Sequence, residues 1–254
     1  MIIYGPLRAL LLTLSLLSAK ILAQVIQETE CTDTRGFTLC QKLPSSSNSS
    51  EYQHSVGLRS NSLSVSWSTE YNWSAGSDAT PKSYASVESK NVAGVQLKLR
   101  PILTTAWLWK YVSRSSSDKS VIKLEILVGN SMARGTGNAG KVINVQVWLS
   151  GKAGGVQPPG TKINDANCVC GYDWSVYRHI NGLVQTITFM EISGEEIPSF
   201  DADLGELTDY LIEVLNVPET FYIQSIRAGT EAYSGAASLL TSIYTLWAEY
   251  PDVS

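Results

Sequence analysis

Hydrophobic and polar residues alternate along most of this chain. In the run KVINVQVWLSG, Lys141 to Gly151, the side chains of Ile143, Val145, Val147 and Leu149 fall on one side of an extended strand, and Asn144, Gln146 and Trp148 fall on the other. The same alternation, or a strand-rich composition, marks Leu63–Trp73, Gly94–Leu99, Thr104–Val112, Ser120–Val128, Trp174–Ile180, Val184–Ile192 and Phe221–Tyr233. Clusters of Gly, Ser, Asn and Pro such as SSSNSS, SAGSD, GNSMARGTGNAGK and GKAGGVQPPG separate these runs and read as turns. Many short strands joined by turns predict an all-β fold, an antiparallel β-sandwich or jelly roll. A single helix is predicted near the C-terminus. Ser199–Asn216 opens with capping residues, sets Leu204, Leu207, Leu211 and Leu215 on one face, and stops ahead of Pro218.

Composition narrows the class of function. With 254 residues, 44% hydrophobic and 17% charged, the chain can bury one sizeable core. The net charge of −4 and the scattered Lys and Arg residues give no reason to expect nucleic acid. After Arg8 the apolar run Ala9–Leu17 has the length of a secretory signal, and Ala19 and Ala23 suit cleavage. The run is too short to span a membrane. Residues 1–23 are therefore assigned to a signal peptide and 24–254 to a single secreted, extracellular domain, expected to be a monomer without membrane partners. In such a pathway Asn48 and Asn72 are glycosylation sequons. The four cysteines are expected to be bridged: Cys31 with Cys40 closes a short loop, and Cys168 with Cys170 shares a face if Asn167–Gly171 is a strand, while crosswise pairings stay open. Neither His54 nor His179 sits in a ligand pattern, so no metal and no cofactor are expected.

Chemistry enters through motifs that keep a fixed order. Trp67, Trp73 and Gly76 lie in WSTEYNWSAG, and Lys82, Ser83 and Tyr84 follow as K-S-Y. WSVYRHINGLVQTITF, the predicted helix, and FYIQSIRAGTEAYSG come later, the last holding Gly229, Thr230, Glu231, Ala232, Tyr233 and Gly235. From Ser64 to Trp247 this succession resembles glycoside hydrolase family 12, the fungal and oomycete endo-β-1,4-glucanases and xyloglucanases. The resemblance implies a concanavalin-like jelly roll whose cleft holds β-1,4-glucan or xyloglucan. It also implies that Glu231 is the acid/base and that Trp148, Gln146, Trp67 and Trp73 contact the sugar. A plant glucanase-inhibitor protein is a further partner by the same analogy. Ala232 stands where the family usually has proline, and Gly36–Leu43 resembles a family segment that ends in tryptophan, which this chain lacks there.

The departure with the largest consequence is on the opening strand. The family has E-x-M-x-W-L there, so Trp148 and Leu149 in register put Gln146 at the methionine and Asn144 at the catalytic nucleophile. From Ile126 through Asn164 the chain contains no Asp or Glu, so no slip of register supplies a carboxylate. Retaining glycosidases need two carboxyl groups about 5–5.5 Å apart, one to protonate the leaving oxygen and one to attack the anomeric carbon. An amide does neither. Glu125 falls where the family has an aspartate that hydrogen-bonds the nucleophile. Either it is recruited with Glu231 in an inverting arrangement, at ~6.5–9.5 Å, or it hydrogen-bonds the Asn144 amide. Glu231 itself shares strand parity with Ser225, Arg227 and Gly229, which leaves a surface ion pair as its alternative role. Trp107 and Trp109 share a face, where core packing and sugar stacking are both open. Three functions remain from different classes: a glucanase with an unconventional partner for Glu231, a glucan-binding protein without turnover, and a decoy or interaction protein at the plant–microbe interface.

Overall fold

The computed structural model describes residues 24–27, 29–43, 50–74, 80–132, 141–150 and 155–250. The signal segment and the Asn48 sequon lie outside the described residues. The strands in chain order are β1 (Gln24–Ile26), β2 (Glu30–Asp33), β3 (Phe37–Lys42), β4 (Tyr52–Ser60), β5 (Ser64–Trp73), β6 (Ser83–Ser89), β7 (Val95–Gln96) and β8 (Ile102–Arg114). They continue with β9 (Lys119–Gly129), β10 (Val142–Ser150), β11 (Thr161–Val169), β12 (Tyr172–Asn181), β13 (Val184–Glu191) and β14 (Ser199–Asp203). Helix α1 (Gly205–Glu213) and β15 (Tyr222–Glu249) complete the fold. The predicted strand at Gly94–Leu99 is shorter than expected, because Leu97–Leu99 turns into a 3₁₀ helix.

Two sheets face each other across the core, and β15 belongs to both. In the long sheet the order is β2-β3-β6-β15-β9-β10-β13-β12-β11, and in the short sheet β1-β4-β5-β15-β8-β14. Residues Tyr222–Ser234 of β15 pair with β6, β7 and β9, and residues Gly235–Glu249 pair with β5 and β8. Gly235 marks the change of sheet with φ +83°, where a Cβ would lie 2.5 Å from Asp118 Cα. Asp118 fastens the corner: its carboxylate accepts from Tyr71 Oη (2.7 Å), Arg114 Nε (2.8 Å) and Ser120 Oγ (2.9 Å). Most pairings are antiparallel as predicted, but β10 and β13 run parallel. The β11–β12 hairpin forms part of the long crossover that a parallel pair requires.

The core fills from alternate positions. Ile143, Val145, Val147 and Leu149 of β10 and Ile122, Leu124, Ile126 and Val128 of β9 are buried between the sheets. On the short sheet, Trp67 of β5, Trp107 of β8 and Tyr244 of β15 form an aromatic cluster with centroids about 6 Å apart. Trp109 is buried beside them and donates to the Ile197 carbonyl, so core packing is the role of both tryptophans on β8. Helix α1 adds Leu207 and Leu211 to the same core, and Leu204, at its N-cap, joins them. It begins six residues later than predicted, at Gly205, because Ser199–Asp203 is edge strand β14 on β8. Asp203 Oδ1 then receives the N–H of Gly205 and of Leu103, so it ties the helix start to the sheet.

One predicted bridge forms and the other does not. Cys31 and Cys40 stand directly opposite each other on β2 and β3 and are bonded. Cys168 and Cys170 are free thiols, the first exposed and the second buried. Cys168 lies where the register of β11 shifts between Ala166 and Val169, Cys170 lies in the turn after the strand, and both take positive φ (55° and 54°), which removes the shared face on which the pairing rested. The Cys170 thiol instead donates to the Asp203 carbonyl at 3.2 Å.

Candidate functional site

A groove crosses the face of the long sheet that turns away from the core. Strand register assembles it: Glu231 on β15 is flanked by Tyr84 on β6, Arg227 by Glu125 on β9, Glu125 by Gln146 on β10, and Asn144 by Thr186 on β13. On one side a cavity of about 690 Å³ is lined by Gln146, Trp148, His179, Glu231 and Tyr233 among others. On the other, about 600 Å³ is lined by Lys42, Tyr84, Glu125, Arg227 and Glu231 among others. Glu231 and Pro81 border both halves. Each half is of ligand size. A groove that runs across strands and continues past a carboxylate on both sides fits a linear polymer better than a compact small molecule.

The predicted site residues divide into those the groove brings together and those it does not. Asn144 Nδ2 donates to Glu125 Oε1 at 3.0 Å, the second of the two roles weighed for Glu125. Gln146 Oε1 accepts from Trp148 Nε1 at 3.0 Å. Trp148 borders the groove but is only 2% exposed, packed with Val121, Val156 and Tyr233, so its ring is part of the wall and not an open platform. Trp67 and Trp73 are corrected: both point into the sandwich. Trp67 is 1% exposed in the aromatic cluster. Trp73 is 2% exposed, donates to Ser83 Oγ at 2.8 Å, and packs with Tyr71, Ala232 and Ala237. The alternation on β5 is as expected, and its aromatic face is the core face. Asn72, on the opposite face of β5, is exposed.

Charge in the groove is organised around a residue that the motifs do not single out. Lys123 Nζ lies 2.7 Å from Glu231 Oε1 and 3.6 Å from Glu125 Oε1, with its side chain 1% exposed. Burial works against its ammonium, but attraction to Glu231 and Glu125 outweighs that, and the pKa is raised above the ordinary lysine value. Arg227 pairs with Glu88 at 2.6 Å and reaches Glu125 at 3.8 Å. Tyr233 Oη donates to Glu231 Oε2 at 3.3 Å. Burial first, then the carboxylates, push the phenols of Tyr233 and Tyr84 up, so both remain protonated donors. Among the described residues, the groove-face atoms Asn144 Oδ1, Thr188 Oγ1 and Tyr84 Oη are buried without a hydrogen-bond partner. Such atoms are costly unless a ligand or water meets them. The sequence signal for Lys123 is its parity with Glu125 on a strand whose other interior residues are apolar, apart from Ser120.

Comparison with known proteins agrees with this fold. The family description Glycosyl hydrolase family 12 matches residues 42–247. A probable xyloglucan-specific endo-beta-1,4-glucanase A from Aspergillus terreus is 32% identical over 222 residues, 84% of this chain and 82% of that protein. The xyloglucan-specific endo-beta-1,4-glucanase A of Emericella nidulans is 31% identical over 71% of this chain and 72% of its own length. Among solved structures, endoglucanase 3 of Trichoderma harzianum, from family GH12, superposes with a TM-score of 0.78 at 20% identity, covering 91% of this chain and all of that one. The family 12 xyloglucanase of Bacillus licheniformis gives 0.74 at 16% identity, over 89% of this chain and all of that one. At those identities the structures speak for the fold alone.

Proposed function

This chain belongs to glycosyl hydrolase family 12, and from that premise we propose that it is a secreted protein that holds β-1,4-glucan or xyloglucan in its groove with retaining hydrolysis lost or greatly reduced. The observation that carries the reading is Asn144. The nucleophile position holds an amide whose nitrogen is committed to Glu125, and an amide cannot form the glycosyl ester on which retention depends. Glu125 is no free replacement, because Lys123, Arg227 and Asn144 all engage its carboxylate. Binding has better support than turnover: the groove is long, bordered by Trp148, Gln146 and His179, and keeps unpartnered polar atoms suited to sugar hydroxyls.

The test uses the mature chain. Calorimetry with xyloglucan oligosaccharides is expected to show saturable binding. Reducing-sugar assays on xyloglucan, mixed-linkage β-glucan and carboxymethyl-cellulose are expected to show turnover at least about a thousandfold below that of a glucanase relative, as loss of a covalent nucleophile dictates. Wild-type turnover that disappears in Glu125→Gln would assign catalysis to Glu125 and overturn the reading. Absence of binding to any of these glucans would remove the ligand.

A further inference from the structure

Lys123 is placed by the fold in a position that the missing nucleophile does not explain. Its cross-strand neighbours are Gly229 on β15 and Trp148 on β10. Gly229 has no side chain to obstruct the lysine stem, and β6 lies so close that a Cβ there would be 2.2 Å from the Ala85 carbonyl. The stem thus has a path over Gly229 towards β6, and its ammonium sits 5.1 Å from the centre of the Tyr84 ring. From that point it reaches Glu231 at 2.7 Å and Glu125 at 3.6 Å. A buried ammonium is tolerated only when paired, so these contacts fix its place.

The consequence concerns the proton. In a retaining glycosidase the acid must carry a proton to the leaving oxygen, and a neighbouring carboxylate usually helps it keep one. Here the nearest neighbour of Glu231 is a cation, and the other carboxylate oxygen already accepts from Tyr233. We propose that Lys123 is a second, independent block on catalysis: a positioning residue that pins the Glu231 carboxylate in an ion pair, so that it does not serve as the acid whatever residue fills the nucleophile position. The proposal rests on the reading of this groove as a glucan site with Asn144 at the nucleophile position. It also gives the groove a different use. The charged groups are paired with one another, which leaves a surface fitted to hold an uncharged glucan without cutting it.

The test separates bond cleavage that needs a proton from cleavage that does not. Asn144→Glu is made alone and together with Lys123→Met, and both are assayed on two aryl β-glucan oligosaccharides, a dinitrophenyl and an unsubstituted phenyl glycoside. In either, the introduced carboxylate attacks the anomeric carbon, the bond to the aryl oxygen breaks, and its electron pair leaves with that oxygen. Dinitrophenolate departs as the anion, whereas the phenyl oxygen needs the proton of an acid. Water then cleaves the glycosyl ester with the Glu231 carboxylate as base, a step the ion pair does not prevent.

Asn144→Glu alone is expected to release dinitrophenolate but to cleave the phenyl glycoside at least about a hundredfold more slowly than the double variant, the usual worth of a general acid. Lys123→Gln in the same background, checked for folding by circular dichroism, is expected to give the same split if charge is the cause. Packing alone would not produce a dependence on the leaving group. Equal cleavage of the phenyl glycoside by the single and double variants would overturn the role of Lys123 and leave the nucleophile assignment standing. Failure of both variants on the dinitrophenyl glycoside, with glucan binding intact, would overturn the nucleophile assignment and this proposal with it.

Discussion

A lysine that burial disfavours and two carboxylates stabilise gives the groove a pH dependence of definite sign. The pKa of Lys123 is higher in the folded chain than its ordinary value, so its contribution to stability is complete below the unfolded lysine pKa of about 10.4 and is lost as pH rises through the folded value. Chemical denaturation of wild type and Lys123→Met from pH 8 upward is expected to show the stability difference shrinking only in the alkaline range; a difference that shrinks below pH 9 would contradict the pairing. Residue by residue, the sequence conveys part of this site. Parity puts Asn144, Gln146 and Trp148 on one face of their strand and Lys123 with Glu125 on one face of theirs, and the alignment of Glu125 with an aspartate that meets the nucleophile foretells its hydrogen bond to Asn144. Parity does not say which strand lies next to which, so the reach of Lys123 to Glu231, on a strand more than a hundred residues away in sequence, is not legible. Nor does it say which face of β5 is buried, which is why Trp67 and Trp73 read as sugar contacts and prove to be core.

Among the elements, β15 carries the main constraint. Its change of sheet depends on Gly235, where both the positive φ and the closeness of Asp118 exclude a side chain. Gly235→Ala is expected to destabilise the fold by more than about 2 kcal/mol, read as a shift in urea midpoint, because backbone strain and overlap add; a neutral substitution would mean that the corner relaxes freely. The alternation in Phe221–Tyr233 predicts a strand but not its extent. Beyond Gly235 the pattern loses its regularity where register shifts between Thr241 and Tyr244 let one strand follow two partners. The predicted helix keeps Leu207 and Leu211 on its buried face but is shorter at both ends, and at its start this is because Ser199–Asp203 satisfies its backbone on β8. Strands β3, β4 and β11 lie among the polar, turn-rich stretches and carry weak alternation, so local pattern alone does not reveal them.

For the molecule as a whole, the core and the groove occupy opposite faces of the long sheet, so stability and ligand binding are expected to separate. Trp67→Ala removes a large side chain that is 1% exposed and is expected to cost about 3–5 kcal/mol, measured by thermal or denaturant unfolding. Glucan affinity of the fraction that remains folded is expected to stay unchanged; a parallel loss of affinity would place Trp67 in communication with the groove. The sharing of β15 between the sheets also has a consequence in time. β15 is last in chain order, and β5, β6, β8 and β9 all pair with it. While the chain is being made from its N-terminus, both sheets stay open at their middle until β15 emerges. Closure of the sandwich is thus postponed until β15 itself has been made, however early the other strands are complete.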